Sequence, residues 1–492
     1  GVAAVNVHGS SMLKYHRFDE PVPITGREAF DHPGRRLMPN GILSGALHTL
    51  GYFSTDVCLG SPPRKYDLIV DTGSSITAVP CSSCRQCGEH VCGSHGRFDV
   101  ASSRTAQMVK CPQTPVPSLR CESCPSNQCG YSVHYTEGSV IRGQVVTDLA
   151  HFTRASHVRG VKRTDNVSVR VFFGCQTLET GMFQRQRADG ILGLQASKSK
   201  GKVPSMLSAL VGQQRAPNAF SLCLSDASGI FLMGGSPVSQ ARQNTLVVPF
   251  ERGARALFSL RLRELRVELK SNSSQTHLRF QHLGGFSAAQ LHPTIVDSGT
   301  TFVYASTPVW RTLLTTIRPY ISNPEIGSRL CAVMTSSQLD ALPRFQMIFG
   351  DRDLRTALPL TISPRQYMVE FPRVAAKLPA GSRHYCVGIF DNRAGGTVVG
   401  ASIMRHRETI FDLSAETITF VDADCERITP HTSYLANPFA FAPCVQNYSR
   451  SPPRFLSPRA TRLRSIPTRL SRSTSRNSLR TLHPKRGEHS LV

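Results

Sequence analysis

Short apolar runs broken by turn residues organise this chain. Ile69-Val70 leads into Asp71-Thr72-Gly73, and Ile295-Val296 leads into Asp297-Ser298-Gly299. Leu246-Val247-Val248-Pro249-Phe250 is one of many β-type runs lying between turn clusters. The 37 Gly and 32 Pro supply those turns. Long amphipathic helices are scarce, and Pro308–Ile317 is the best short candidate. The pattern predicts an all-β fold with small helices. With 492 residues there is chain enough for two lobes of ordinary size.

One Asp-Thr/Ser-Gly turn carries little information, because Asp and Gly suit any turn. Two copies behind matching apolar runs imply an internal duplication. Each is a buried-strand pattern with a carboxylate at its tip and a Gly that lets the backbone pass closely. Downstream of the first stands Asp189-Gly190-Ile191-Leu192-Gly193-Leu194, and downstream of the second Gly396-Thr397-Val398-Val399-Gly400. Two carboxylates brought together by a duplicated fold would share one proton, since like charges a few ångströms apart cannot both ionise.

These motifs resemble the pepsin-like aspartic proteases, in which each lobe threads an apolar-apolar-Gly strand through the loop bearing its Asp. The lead-in Tyr52–Pro63 and the closing run Ile410–Val421 are similar to that family too. The resemblance spans roughly residues 49–426 and implies a bilobal fold. The N-terminal lobe would cover 49–240, with an insert at 81–129 and a flap at 131–143, and the C-terminal lobe 241–427. Residues 1–48 would be a prosegment remnant or extension, with Arg35-Arg36 as a processing point. The resemblance assigns catalysis to Asp71 and Asp297. It assigns orientation of their outer oxygens to Ser74 and Thr300, and cross-bracing of the two loops to Thr72 and Ser298. Tyr135 would close over the scissile bond. Ala78 stands where the family usually has a Trp, and the single Trp310 falls in the helix candidate, where packing explains it. No metal or cofactor is called for.

Eight of the fifteen cysteines fall between Cys81 and Cys129. Their Cys-x2-Cys spacings, with His90 and His95 nearby, could hold zinc. They could equally form up to four disulfides stapling a loop-rich insert without a core of its own. Their place after a secretory-type protease motif favours disulfides. Such a block resembles the nepenthesin-type insert. Val79–Gly88, Phe172–Cys175, Phe220–Ser225 and Phe420–Cys425 bring the chain nearer to the plasmepsin V-like proteases of apicomplexans, which cut export signals. The flap form Tyr135-Thr136-Glu137-Gly138-Ser139 agrees. The resemblance implies that Glu137 receives a substrate Arg two residues before the cleaved-side Leu, and a bidentate pair would suit that role. A solvated hairpin charge is the plain alternative. The resemblance also implies the pairs Cys223–Cys425 and Cys331–Cys386.

The net charge of +24 raises nucleic-acid binding, but its distribution argues otherwise. Residues 446–492 hold ten Arg, one Lys and one Glu, or +10, leaving +14 on the rest. No basic-plus-aromatic module accompanies them, so no nucleic acid is required. The segment 428–492 is expected to be a disordered basic tail able to touch acidic membrane surfaces. No run of 18 apolar residues exists to span a bilayer. The chain starts at Gly1 with no visible signal peptide, so either one was removed or the sequence is a fragment. Sequons at Asn166, Asn272 and Asn447 and the cysteine count point to the secretory-pathway lumen or secretion. The expectation is a monomeric aspartic endopeptidase acting on polypeptides at Arg-containing export-type motifs. The alternatives are a broad nepenthesin-like acid peptidase and a catalytically silent peptide-binding relative.

Overall fold

The computed structural model describes residues 42–444 apart from 46, 48–49, 91–95, 112–118, 136–137, 159–160, 196–202, 236–244, 252–257, 269–278, 323, 325–329, 351–357, 372–377, 427–438 and 443. Strands dominate, as the short apolar runs predict. The expected helix forms at Thr307–Ile317, with a Pro in its first turn. It buries Val309, Leu313 and Ile317, four residues apart on one face. The Trp310 indole N–H donates to the Ile389 carbonyl at 3.1 Å, which is the packing role read from sequence.

The duplication extends to strand register. Arg64–Asp71 runs parallel to Gly190–Gly193, with Asp71 opposite Gly193. Thr294–Asp297 runs parallel to Thr397–Gly400, with Asp297 opposite Gly400. In each half the second strand then meets a third antiparallel, at Ala78↔Ile191 and Tyr304↔Val398. The third runs parallel to a fourth, at Ala78↔Gly174 and Val303↔Ile389. The glycines are required at these crossings, because a methyl on Gly193 would collide with Ile76 backbone and one on Gly400 with Phe302 backbone.

The halves are joined by a common sheet of 15 strands. Ala219–Leu224 of the first half pairs along its length with Arg407–Asp412, which pairs with Thr417–Asp422 and then Thr245–Pro249. Phe220 stacks on Phe411 across that seam at 4.7 Å. Burying one such ring contributes about 1.5–3 kcal/mol. A smaller apolar cluster, including Ile69, Ile76, Val109, Tyr131, Ile141 and Phe183, lies apart from the main core, and Tyr135 packs against it.

Both outer boundaries need correction. Ile42–Gly45 pairs with Phe53–Leu59 and Ser228–Met233, so the fold begins before residue 49. Phe439–Phe441 pairs with Val140–Val158 and Ser228–Met233, so the segment beyond 428 is not all tail. Phe439 and Phe441 are buried, and Cys444 is bonded to Cys58. The apolar run from 439 to 442 supplies the burial that the Arg-rich part after 446 lacks. Arg35, Arg36, His95, Asn272, Asn447 and the basic tail lie outside the described residues.

The insert holds three internal disulfides, Cys84–Cys87, Cys111–Cys124 and Cys121–Cys129. Cys81 instead leaves the cluster to join Cys175. Register explains this: Val79 lies opposite Cys175, and the Cys81 N–H donates to the Gln176 carbonyl at 3.0 Å. Cys111, Cys121 and Cys124 sit close enough together to share an ion, but their sulfurs are committed to disulfides rather than available as thiolates. Cys223–Cys425 and Cys331–Cys386 are also bonded. Cys92 lies outside the described residues.

Candidate active site

Asp71 and Asp297 end equivalent strands, and the turns beyond them cross. The Thr72 hydroxyl donates to the Val296 carbonyl at 3.0 Å and accepts the Ser298 N–H at 2.9 Å. The Ser298 hydroxyl donates to the Val70 carbonyl at 2.7 Å and accepts the Thr72 N–H at 3.1 Å. Four hydrogen bonds thus tie the loops into one rigid piece, with all donors buried.

The carboxyl groups are held by their own turns. Asp71 Oδ1 accepts the Gly73 N–H at 2.7 Å, and Asp297 Oδ1 accepts the Gly299 N–H at 2.9 Å. A methyl on Gly73 would strike the Asp297 carboxyl, and one on Gly299 would strike that of Asp71. Each glycine therefore lets the opposite carboxyl approach. Both Asp71 and Asp297 are buried, at 4% and 6% exposure. Burial pushes the Asp297 carboxyl up to about 7, with the neighbouring Asp71 charge adding to the rise.

The outer oxygens are supported unequally. The Thr300 hydroxyl donates to Asp297 Oδ2 at 2.7 Å. The Ser74 hydroxyl is buried without a hydrogen-bond partner among the described residues, so the expected bond to Asp71 is not made. Serine has one side-chain torsion, and the rotamer adopted does not bring its oxygen to the carboxyl. Further back, Asp189 accepts the Asp67 N–H at 2.8 Å, while its own N–H donates to the Asp67 carbonyl at 2.7 Å. That clasp fixes the register of the strand ending in Asp71.

The flap hairpin pairs Gly130–His134 with the start of Val140–Val158. At its turn the Tyr135 N–H donates to the Ser139 carbonyl at 2.9 Å. The Tyr135 ring lies 4.8 Å from that of Phe183. Glu137 lies outside the described residues. Ser139, the last residue of the flap motif, accepts the Met182 N–H on its hydroxyl at 3.0 Å, and Phe183 was not singled out from sequence. The signal available for Phe183 was only its nearness to the Asp189-Gly190 run.

Comparison with known proteins points to aspartic proteases. A family model described as "Xylanase inhibitor N-terminal" matches residues 53–235. Aspartic protease 5 of Toxoplasma gondii is 25% identical over 85% of this chain and 40% of its own length. Aspartic proteinase 39 of Arabidopsis thaliana is 25% identical over 77% of this chain and 75% of its own length. Plasmepsin V of Plasmodium falciparum is 30% identical over 39% of this chain and 31% of its own length. Over most of its length the chain is thus similar to aspartic proteases of the pepsin-like kind. It spans less than half the length of the two apicomplexan relatives and three quarters of the plant one. The strand-dominated sheets and the disulfides are consistent with the all-β pepsin-like fold. No helix among the described residues is long and apolar enough to cross a membrane.

Proposed function

We propose that this protein is an aspartic endopeptidase of the secretory pathway that cleaves polypeptides at short Arg-containing, Arg-x-Leu-like motifs. The observation that carries the hydrolytic reading is the approach of Asp71 and Asp297 across two crossed, mutually braced turns. With Asp297 titrating near 7, the pair holds one proton through mildly acid pH. The ionised carboxylate takes a proton from water as the water oxygen attacks the peptide carbonyl. The protonated partner gives its proton to the carbonyl oxygen. Collapse of the resulting diol passes a proton to the leaving amine and breaks the C–N bond. Which aspartate starts ionised is a property of the pair. In this reading the N-terminal lobe carries Asp71, the insert and the flap, and the C-terminal lobe carries Asp297, with Tyr135 closing over the bound strand.

The Arg preference rests on Glu137 and on the resemblance of the flap sequence Tyr135-Thr136-Glu137-Gly138-Ser139 to export-signal proteases. Two residues beyond the flap Tyr135, the carboxylate would overhang a substrate strand in a site that loses water when the lid closes. There a forked guanidinium pair is worth more than an exposed one. The test is a double-mutant cycle on kcat/KM, combining Glu137→Gln with Arg→Ala in the peptide. The two losses should overlap strongly, and a substrate Lys should not replace Arg. Simple additivity would mean that Glu137 does not meet that Arg.

The secretory lumen is supported by the seven disulfides among the described residues, since such bonds form and persist in oxidising compartments. A second reading, a silent peptide-binding relative, is favoured only by the inhibitor name of the matching family model. The presence of both aspartates and of the loop hydroxyls Thr72, Ser298 and Thr300 supports the enzyme instead.

A further inference from the structure

The cysteine-rich insert meets the outgoing arm of the flap directly, where Glu122 Oε2 accepts the Ser132 N–H at 2.8 Å, and it reaches the returning arm and the turn through Glu179. The residue ends the long strand Val161–Glu179 and lies opposite Ile141, on the returning arm of the flap. On its other side it meets the insert. Its N–H donates to the Gln86 carbonyl at 3.1 Å. Its Oε2 accepts the Gly88 N–H at 3.0 Å and pairs with His90 Nε2 at 2.7 Å. Both side chains of that pair are fully buried. The loop delivering these groups is closed by the Cys84–Cys87 disulfide, and the Arg97 guanidinium donates to the Cys87 and Gly88 carbonyls at 3.1 Å each.

From Glu179 the contacts run directly to the flap tip. The Thr180 N–H donates to the Val140 carbonyl at 2.9 Å, and the Thr180 hydroxyl accepts the Val140 N–H at 2.8 Å. The Met182 N–H donates to the Ser139 hydroxyl, and Phe183 carries the ring that packs on Tyr135. The flap's outgoing arm is involved as well. Tyr131 is buried there, and its phenol is held well above the usual range by burial and then by the Glu179 charge. A buried polar pair of this kind is weak evidence for stability, because desolvation offsets its attraction, but it fixes one geometry among several.

We infer that the insert positions the flap, with the buried His90–Glu179 pair as the joint, making His90 and Glu179 positioning residues for peptide cleavage. This rests on the protease reading. The insert sets the height and angle of the hairpin that must close on substrate, so loosening the joint should lower kcat more than it raises KM.

The experiment uses the full chain carrying Glu179→Gln, which keeps the shape and drops the charge, and His90→Gln. Amide hydrogen exchange is read at Tyr135 and Gly138 in the flap and at Phe411 in the shared sheet, alongside kcat and KM on a cleaved peptide. Flap exchange should quicken while Phe411 keeps its protection. kcat should fall by roughly ten- to a hundredfold. The double variant should lose about as much as either single one, since the two act as a unit. If Glu179→Gln does not fold, Cys84→Ala/Cys87→Ala loosens the same loop without altering Glu179 and should quicken flap exchange in the same way. Folded variants with wild-type flap exchange and kcat within about twofold would overturn the inference. A wild-type chain that cleaves no peptide would sink the protease reading, yet leave the exchange comparison in force.

Discussion

Asp297 concentrates the energetic cost of this site. Burial and the Asp71 charge raise its carboxyl to about 7. A raised acid binds its proton more tightly in the folded chain, so stability falls as pH rises from the unfolded value of 3.8 towards 7. Asp297→Asn removes that cost. Its melting temperature should exceed that of the wild type near pH 8, and the gap should close below about pH 4. A gap that does not change with pH would mean that the carboxyl is not perturbed. Activity should decline as pH rises through about 7, when the shared proton is lost. At this scale the sequence was informative where chemistry is written into a local motif, as at Asp71, Asp297, Thr72, Ser298 and Thr300. Ser74 shares the motif, but its rotamer is decided by packing that no motif records. His90 was read only as a possible zinc ligand, and its pairing with Glu179 was illegible because the two lie 89 residues apart and only the fold joins them.

The element that matters most is the pair of crossed turns. Thr72→Val keeps the shape of the side chain but leaves the buried Ser298 N–H without its acceptor. Ser298→Ala does the same to the Thr72 N–H. Each should cost about 1–3 kcal/mol in denaturant unfolding. The double variant should cost less than the sum, because the bonds are reciprocal. Additive losses would mean that the two hydroxyls act independently. The duplicated strands were readable because each carries an apolar run, a turn and a later apolar-apolar-Gly copy. The cysteine pairing was not, since spacing alone cannot show that Cys81 reaches Cys175 across a parallel strand pair.

Across the whole molecule, the first and last described strands close the common sheet. Ile42–Gly45 and Phe439–Phe441 both lie against Ser228–Met233, and Cys58–Cys444 spans 386 residues. Cys444→Ser should lower stability by about 2–5 kcal/mol, seen as a lower unfolding midpoint. An unchanged midpoint would make the bond incidental to the fold. These outer strands escaped the sequence reading because each is only three or four residues long, too short to show a period. The tail's charge also drew attention away from the apolar run before it. The overall plan of two similar halves was legible because the duplication repeats its chemistry along with its pattern.

The central claim is that Asp71 and Asp297 divide one reaction between them. The most direct measurement is kcat/KM on a cleaved peptide for purified Asp71→Asn and Asp297→Asn, each shown to be folded by its melting curve. Either change leaves a single ionisable carboxyl, so both variants should lose roughly 10³–10⁴-fold or more. A folded single variant that still cleaves the peptide at close to the wild-type rate would contradict the account.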